Sequence, residues 1–123
     1  MKKIFNTINK GNLYFIAEAG INHNGKLSIA KKMVREAKKA GANCIKFQNF
    51  VAEEYISKFS QKAKYQKVKK FSKKSQMEII QATEIGKKNT KKLIEYCKKN
   101  KIDFLTTPFE TKSLDFLMNI KLK

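Results

Sequence analysis

The chain has 123 residues and carries 28 Lys or Arg against 10 Asp or Glu, which gives it a formal charge of +18. Its hydrophobic fraction of 41% is enough for a folded core, but no stretch approaches the roughly 20 apolar residues of a membrane span. Cys44 and Cys97 are too far apart in sequence for a disulfide framework or a zinc knuckle. Two free thiols, and an N-terminus without the apolar core of a signal peptide, indicate a reducing cytoplasm.

A charge this high is typical of proteins that bind nucleic acid or anionic surfaces. However, Arg35 is the only arginine in the sequence, and arginine is the residue that forks onto phosphates and base edges. The lysines are scattered along helical faces instead of forming one block. We therefore expect a lysine-rich surface on an ordinary enzyme, and keep as the alternative a non-catalytic basic module that binds nucleic acid or another polyanion.

The start of the chain is expected to be a polar lead-in over residues 1–12, with three apolar packing points at Ile4, Phe5 and Ile8. A first strand is predicted over residues 13–19, because its apolar run is typical of a strand buried on both faces. Glu18 follows that run, and residues 20–26 form a loop rich in Gly and Asn. In α/β enzymes, a buried strand that ends in an acid and opens into such a loop presents the chemistry.

A helix is predicted next, because apolar residues recur at helical spacing from Ile29 to Ala40, with lysines on the other face. Either Ser28 caps this helix or the helix begins a residue or two earlier. Gly41 ends it as a C-cap would.

The second strand is predicted over residues 43–48, about 30 residues after the first, which is the length of a strand–helix–strand unit. Lys46 and Gln48 share one face of this strand with Cys44, whereas Ile45 and Phe47 point toward the helices. A lysine that points inward from a buried strand must be paired with an acid or an anion. Glu18 is the nearest candidate acid, and a bound phosphate is the other candidate.

The remaining elements are a long connection, two helices, a third strand and a last helix. Residues 49–75 are basic and aperiodic, so we favour a loop over the active face, although aromatics among lysines also suit single-stranded nucleic acid. Helices are predicted at residues 75–83 and 87–100, the second ending at Asn100 as a left-handed stop. The third strand, 102–109, carries Thr106 and Thr107 at its carboxyl end, and Thr111 or Ser113 starts the last helix.

This order of elements predicts an α/β fold with about three parallel strands and covering helices. The carboxyl ends of the strands carry Glu18, then Lys46 and Gln48, then Thr106 and Thr107. In a (β/α)8 TIM barrel the site is built from those ends, and a complete barrel typically takes about 250 residues. We therefore predict that residues 13–123 are the N-terminal part of such a barrel, and that the barrel is incomplete.

Four segments of the chain resemble the N-terminal part of the sialic acid synthase family: residues 17–25 (AEAGINHNG), 45–48 (IKFQ), 64–66 (KYQ) and 107–109 (TPF). The family includes N-acetylneuraminate, legionaminate and pseudaminate synthases. The resemblance extends from about residue 13 to residue 120, and several motifs in matching order make it specific.

The resemblance implies a (β/α)8 barrel followed by a small antifreeze-like domain. It also implies a transferase that condenses phosphoenolpyruvate with an open-chain N-acetylated amino sugar, such as N-acetylmannosamine, and releases phosphate. A divalent metal, manganese or magnesium, would polarise the sugar aldehyde, with its histidine ligands on later strands that this chain lacks. The complete enzyme would be a homodimer.

Roles for individual residues follow from the same resemblance. Glu18 would be the catalytic acid that handles a proton or water near the reacting carbons, and Lys46 would pair with phosphoenolpyruvate. Gln48 would line the same pocket, and Thr107 would donate a hydrogen bond to the phosphate. Two further substrate-binding residues are implied, Asn22 near Glu18 and Tyr65 on the sugar side.

Simpler interpretations stand beside these roles. His23 is expected to order its loop instead of binding metal, and Thr106 is expected to fill the barrel interior. Glu18 and Lys46 could form a buried ion pair without a catalytic role. Because the later strands are absent, the chain alone is expected to be inactive and, with an open edge at its third strand, prone to aggregate.

Overall fold

The fold is a three-stranded parallel sheet covered by helices on one face. The computed structural model describes residues 2–57 and 74–120. The strands are β1 (Ile16–Gly20), β2 (Cys44–Asn49) and β3 (Asp103–Pro108), in the spatial order β1-β2-β3. The helices are α1 (Lys2–Asn9), α2 (Leu27–Lys39), α3 (Ala52–Tyr55), α4 (Gln76–Gln81), α5 (Gly86–Lys99) and α6 (Thr111–Asn119). The predicted fold class is confirmed in this part of the chain.

The core lies between the sheet and the pair of helices α2 and α5. Ile45 and Phe47 project from β2 into this layer and are each 1% exposed. They meet Val34 of α2, and Leu93 and Cys97 of α5. These are the apolar positions that helical spacing predicted, and their burial explains why two lysine-rich helices hold to the sheet.

The helix ends follow local chemistry. Helix α2 begins at Leu27 after Lys26, which makes no side-chain cap, so Ser28 does not cap it. Helix α4 begins with a capping box, in which Ser75 and Glu78 each accept the other's backbone N–H. After α5 the left-handed residue is Lys101 (φ +53°), not Asn100 as predicted. Asn100 instead bonds back through its side chain to the carbonyl of Tyr96.

The other face of the sheet is not covered by any of the described helices, and this corrects the expectation that β1 is buried on both faces. Ile16 remains 47% exposed on β1, and Leu105 remains 38% exposed on β3. At the end of this face where the strands begin, the Tyr14 hydroxyl donates to Asp103 Oδ2 at 2.6 Å. Burial and that hydrogen bond both raise the pKa of Tyr14.

The first twelve residues differ from the predicted polar lead-in, because Lys2–Asn9 form helix α1. Of its three expected packing points, Phe5 and Ile8 are 59% and 53% exposed, whereas Ile4 is half-buried. Across residues 2–57 and 74–120, none of the helices has the length and apolar character needed to cross a bilayer.

Candidate functional site

The parallel register brings polar residues of neighbouring strands to the same edge of the sheet. Glu18 of β1 pairs with Lys46 of β2, and Gln48 of β2 pairs with Thr107 of β3. All four side chains belong to the open face, because Phe47, between Lys46 and Gln48, points into the core. The carboxyl ends of the strands therefore gather these predicted residues on one surface.

An ion pair lies at the centre of this surface. Lys46 Nζ is 2.7 Å from Glu18 Oε2, so the structure supplies the acid that an inward-pointing lysine required. The two side chains are 33% and 51% exposed respectively. The pair is thus accessible to a ligand and is not the buried ion pair of the simpler interpretation.

A bulge in β1 places Gln48 beside this pair. The register shifts between Glu18 and Gly20, where Gly20 adopts φ +52°. A Cβ at Gly20 would lie 3.6 Å from Gln48 Nε2 and 3.7 Å from Glu18 Oε1. Gly20 therefore lies against both groups, and its positive φ, which L side chains rarely adopt, favours glycine at this bulge.

The two threonines of β3 divide between the two faces of the sheet. Thr107 is exposed and shares the open face with Gln48. Thr106 pairs with Phe47 and is only 9% exposed. It therefore belongs to the helix-covered face, and the expectation that it fills the barrel interior is wrong. Side chains alternate along a strand, so only one of two adjacent threonines can reach the site.

Asn22 lies in the turn that follows β1, and among the described residues its side chain does not contact Glu18 through a hydrogen bond. Its backbone N–H donates to the carbonyl of Ala19 at 3.2 Å, and its own carbonyl accepts from the Asn24 side chain at 3.4 Å. Its side chain is exposed and, within the described part of the chain, makes no hydrogen bond to Glu18. Tyr65 lies outside the described residues.

His23 is the most buried residue of this turn, with 0% exposure. Its Nδ1 accepts the backbone N–H of Gly25 at 3.0 Å, and its ring lies 5.9 Å from that of Phe47. Burial lowers the pKa of His23, which keeps the ring neutral. The structure thus places His23 as a residue that orders the loop, as expected from the sequence.

Two residues around the site, Glu84 and Glu110, were not singled out from the sequence, whereas Gly25 was expected only as part of the loop over residues 20–26. Glu84 accepts the N–H of Ala52, the first residue of α3, and Glu110 accepts the N–H of Val51, the residue before it. Gly25 packs so closely on the turn at residues 82–84 that a Cβ would lie 2.7 Å from the Ala82 carbonyl oxygen. The only sequence signal was the position of Glu110, directly before a predicted helix.

No metal site is formed by the described residues themselves. Within residues 2–57 and 74–120, no three His, Cys, Asp or Glu side chains lie close enough together to hold an ion. Glu18 has a lysine as its close partner, which is a poor companion for a metal ligand.

Comparison with known proteins decides the family. The model of the NeuB family matches residues 33–123. This chain belongs to the NeuB family. The resemblance expected from the sequence is thereby confirmed over most of the chain.

Two relatives of this NeuB-family chain are legionaminic acid synthases. N,N'-diacetyllegionaminic acid synthase of Campylobacter jejuni is 44% identical over 108 residues, covering 88% of this chain and 32% of that protein. The enzyme of the same name from Legionella pneumophila is 39% identical, covering 89% of this chain and 31% of that protein. These relatives support a synthase-type function.

A solved structure shows the same architecture. N-acetylneuraminic acid (sialic acid) synthetase from Leptospira borgpetersenii, in complex with citrate, superposes with a TM-score of 0.71 and 34% identity. The match covers 89% of this chain and 34% of the synthetase. This chain therefore spans about a third of the length of the relatives that it matches.

Proposed function

We propose that this chain forms the phosphoenolpyruvate-binding part of a nonulosonic acid synthase. The complete enzyme would join phosphoenolpyruvate to an N-acetylated amino sugar such as N-acetylmannosamine, forming a sialic-type acid and releasing phosphate. It would act in the cytoplasm as a homodimer. The observation that carries the proposal is the accessible pair of Glu18 and Lys46, with Gln48 and Thr107 on the same face.

Lys46 suits an anion with two charged groups. Its ammonium has three N–H donors, and the contact with Glu18 Oε2 occupies one of them. The others are free to meet the carboxylate or phosphate of phosphoenolpyruvate, because the side chain is one-third exposed. Glu18 holds the ammonium in place and so lowers the cost of ordering a long side chain.

Gln48 and Thr107 add neutral donors at the strand ends. The amide of Gln48 and the hydroxyl of Thr107 sit on paired positions of β2 and β3. A lysine together with two neutral donors can bind phosphate without drawing in further positive charge. This arrangement supports a phosphate position near Thr107 and a carboxylate position near Lys46.

Glu18 is proposed to act on a proton or a water molecule beside the reacting carbons. A carboxylate that contacts a lysine is held in one orientation, which general acid–base catalysis requires. The proposed metal, manganese or magnesium, would polarise the sugar aldehyde. Among the described residues, no three His, Cys, Asp or Glu side chains lie close enough together to hold this metal.

A chimera tests the proposal directly. Residues 1–123 would replace the matching N-terminal third of the Campylobacter jejuni synthase, and phosphate release from phosphoenolpyruvate would be measured with that enzyme's sugar. We expect activity in the chimera, and a loss of about 100-fold or more for Lys46→Ala or Glu18→Gln, as for other groups that contact the reacting atoms. Lys32→Ala, an exposed lysine of α2, is the matched control and should leave the rate unchanged.

Two results would count against the proposal. A folded chimera that binds no phosphoenolpyruvate, beside an active parent enzyme, would contradict the proposed function. A Lys46→Ala chimera as active as the unmodified one would contradict the role of the ion pair.

The alternative of a polyanion-binding module is less well supported. Its basis is the run of exposed lysines on α2 and α5. However, among the described residues Tyr55 packs on two other rings, with 5.0 Å between the ring centroids of Tyr55 and Phe109 and 5.7 Å between those of Tyr55 and Phe50. Rings in mutual contact are not set out as a platform for bases. Lys46→Ala should barely change polyanion affinity, because it removes one of many lysines.

A further inference from the structure

The turn after β2 is held by carboxylates from two different parts of the chain. Val51 donates its N–H to Glu110 Oε1 at 3.1 Å, and Ala52 donates its N–H to Glu84 Oε1. Glu84 comes from the turn between α4 and α5, and Glu110 from the turn between β3 and α6. Two consecutive amides of one turn are thus bound by two distant acids.

The contact with Glu110 continues the β2–β3 ladder beyond its end. The register runs from Gln48 with Thr107 to Asn49 with Pro108, and Phe109 then donates to the carbonyl of Asn49 at 3.1 Å. Among the described residues, the pairing of the two strands ends there, before Val51. The side chain of Glu110, three residues after Thr107, takes over as acceptor for Val51, three residues after Gln48.

Glu110 also fixes the start of α6. Its second oxygen, Oε2, accepts the N–H of Ser113 at 3.0 Å, so the same carboxylate caps the helix. Burial raises the pKa of Glu110, but the hydrogen bonds from Ser113 and Val51 outweigh it and hold the pKa below its usual range. A charged acceptor with two N–H partners is a strong anchor.

Glu84 connects the turn after β2 with the turn after β1. The backbone carbonyls of Ala82 and Glu84 lie 2.7 Å and 3.0 Å from where a Cβ of Gly25 would be. The loop that follows β1 therefore rests on the same turn from which Glu84 reaches Ala52. Packing that leaves no space for one added carbon at Gly25 gives the two loops little room to move independently.

Side chains reinforce the junction between β2 and β3. Phe50 and Tyr55, on either side of the two bound amides, both pack against Phe109. Lys112 of α6 pairs with Glu54 of α3. Apolar and charged contacts thus join the same two turns that Glu110 joins.

We propose that Glu84 and Glu110 are positioning residues of the site. By holding Ala52 and Val51 they lock together the three loops that follow β1, β2 and β3, and so set Gln48 and Thr107 beside the pair of Glu18 and Lys46. What the site binds rests on the proposed function, whereas the locking of the loops does not.

Glu110→Asp in the full chain separates positioning from helix capping. Aspartate is among the best N-cap residues and keeps the bond to Ser113, but it is one methylene shorter and cannot also reach Val51. By NMR, amide hydrogen exchange at Val51 should accelerate by about tenfold or more, as expected for losing a bond to a charged group. The backbone amide signals of Gln48 and Thr107 should shift, while the urea midpoint stays close to that of the unmodified chain.

Glu84→Asp is the second variant, and it should release Ala52 and shift the amide signal of Gly25. Glu36→Asp is the matched control, because Glu36 lies exposed on α2 and pairs with Lys39 one turn away. It should leave Gln48 and Thr107 unchanged. If Val51 or Ala52 exchanges faster while Gln48, Thr107 and Gly25 keep their signals, the positioning role is overturned.

The chimera described above separates this inference from the proposed function. Glu110→Asp there should raise the KM for phosphoenolpyruvate by about tenfold, with a smaller change in kcat, because it displaces binding groups and leaves Glu18 and Lys46 in place. An inactive unmodified chimera would count against the proposed function alone, since the NMR result still decides whether the carboxylates position Gln48 and Thr107. An unchanged KM in an active chimera would overturn the positioning role.

Discussion

The two faces of the sheet are built from alternate residues of the same strands, yet one face is packed against helices and the other is accessible to solvent. On the covered face, Ile45 and Phe47 are each 1% exposed and pack against α2 and α5. On the open face, Lys46 and Glu18 form an accessible ion pair, and Leu105 is 38% exposed. Stability is thus concentrated on one face and chemistry on the other, so substitutions one residue apart should have very different effects.

The largest expected effect contrasts Phe47 with Leu105. Phe47→Ala should cost about 3–5 kcal/mol, the usual range for a buried aromatic, because its ring packs on His23 and on Phe104. Leu105→Ala on the open face should cost less than about 1.5 kcal/mol, since much of its surface is already in water. Urea unfolding of both variants measures the difference. Equal losses would mean that the open face is covered in solution, for example by self-association.

A second contrast concerns two glycines with positive φ. Gly25→Ala combines φ +69° with a Cβ 2.7 Å from the Ala82 carbonyl oxygen, whereas Gly41→Ala at φ +85° meets nothing within 4 Å. We expect a loss of about 1 kcal/mol from backbone strain alone at Gly41, and of about 2–4 kcal/mol at Gly25, where a clash is added. The midpoints of thermal unfolding of the two variants show which substitution costs more stability. Equal losses would show that the turn at Ala82 can move away from the added Cβ at little cost in free energy.

The third expectation is that stability depends on pH through His23, which packs against Phe47 of the covered face. Burial lowers the pKa of His23, so the folded state binds fewer protons than the unfolded chain below the usual histidine pKa of about 6.5. Stability should therefore fall as the pH drops from about 7 toward 5.5. His23→Gln should flatten this dependence, as followed by urea midpoints at each pH. The same slope in both proteins would mean that His23 is not held neutral by burial.

The smallest expected effect on stability is that of Lys46→Met. Because Lys46 and Glu18 are one-third and one-half exposed, breaking their pair should change the free energy of unfolding by less than about 1 kcal/mol. Phosphate release in the chimera should nevertheless collapse, as for Lys46→Ala. A large loss of stability in urea would instead show that this pair stabilises the fold, which would contradict the assignment of stability to the covered face alone.

Much of the fold could be predicted from the sequence, because the signals are local. The apolar spacing of Val34 in α2 and of Leu93 and Cys97 in α5 indicated the faces that pack on the sheet. The two strands that carry Lys46 and Thr107 lie within a residue or two of their predicted bounds. Helix α1 was missed because its pattern is short, and two of its apolar side chains, Phe5 and Ile8, are exposed.

The candidate site was predictable in part. Alternation along β2 placed Lys46 and Gln48 on one face, but it could not say whether that face is buried, because burial depends on what lies across it. Asn22 was expected near Glu18 from the resemblance, and the structure shows it exposed in its turn. Tyr65, the metal and the antifreeze-like domain stay predictions.

The sequence by itself determined the periodicity of the strands and helices, the motifs that mark a NeuB-family chain and the alternation that puts Lys46 and Gln48 on one face of β2. These depend on neighbours a few residues apart, where backbone geometry dictates which side chains share a face. Only the tertiary structure decided that Glu110 reaches Val51, 59 residues away, and that Glu84 reaches Ala52, 32 residues away. Such contacts leave no periodic trace in the sequence, because a single carboxylate meets a single amide only after the sheet register has brought their turns together.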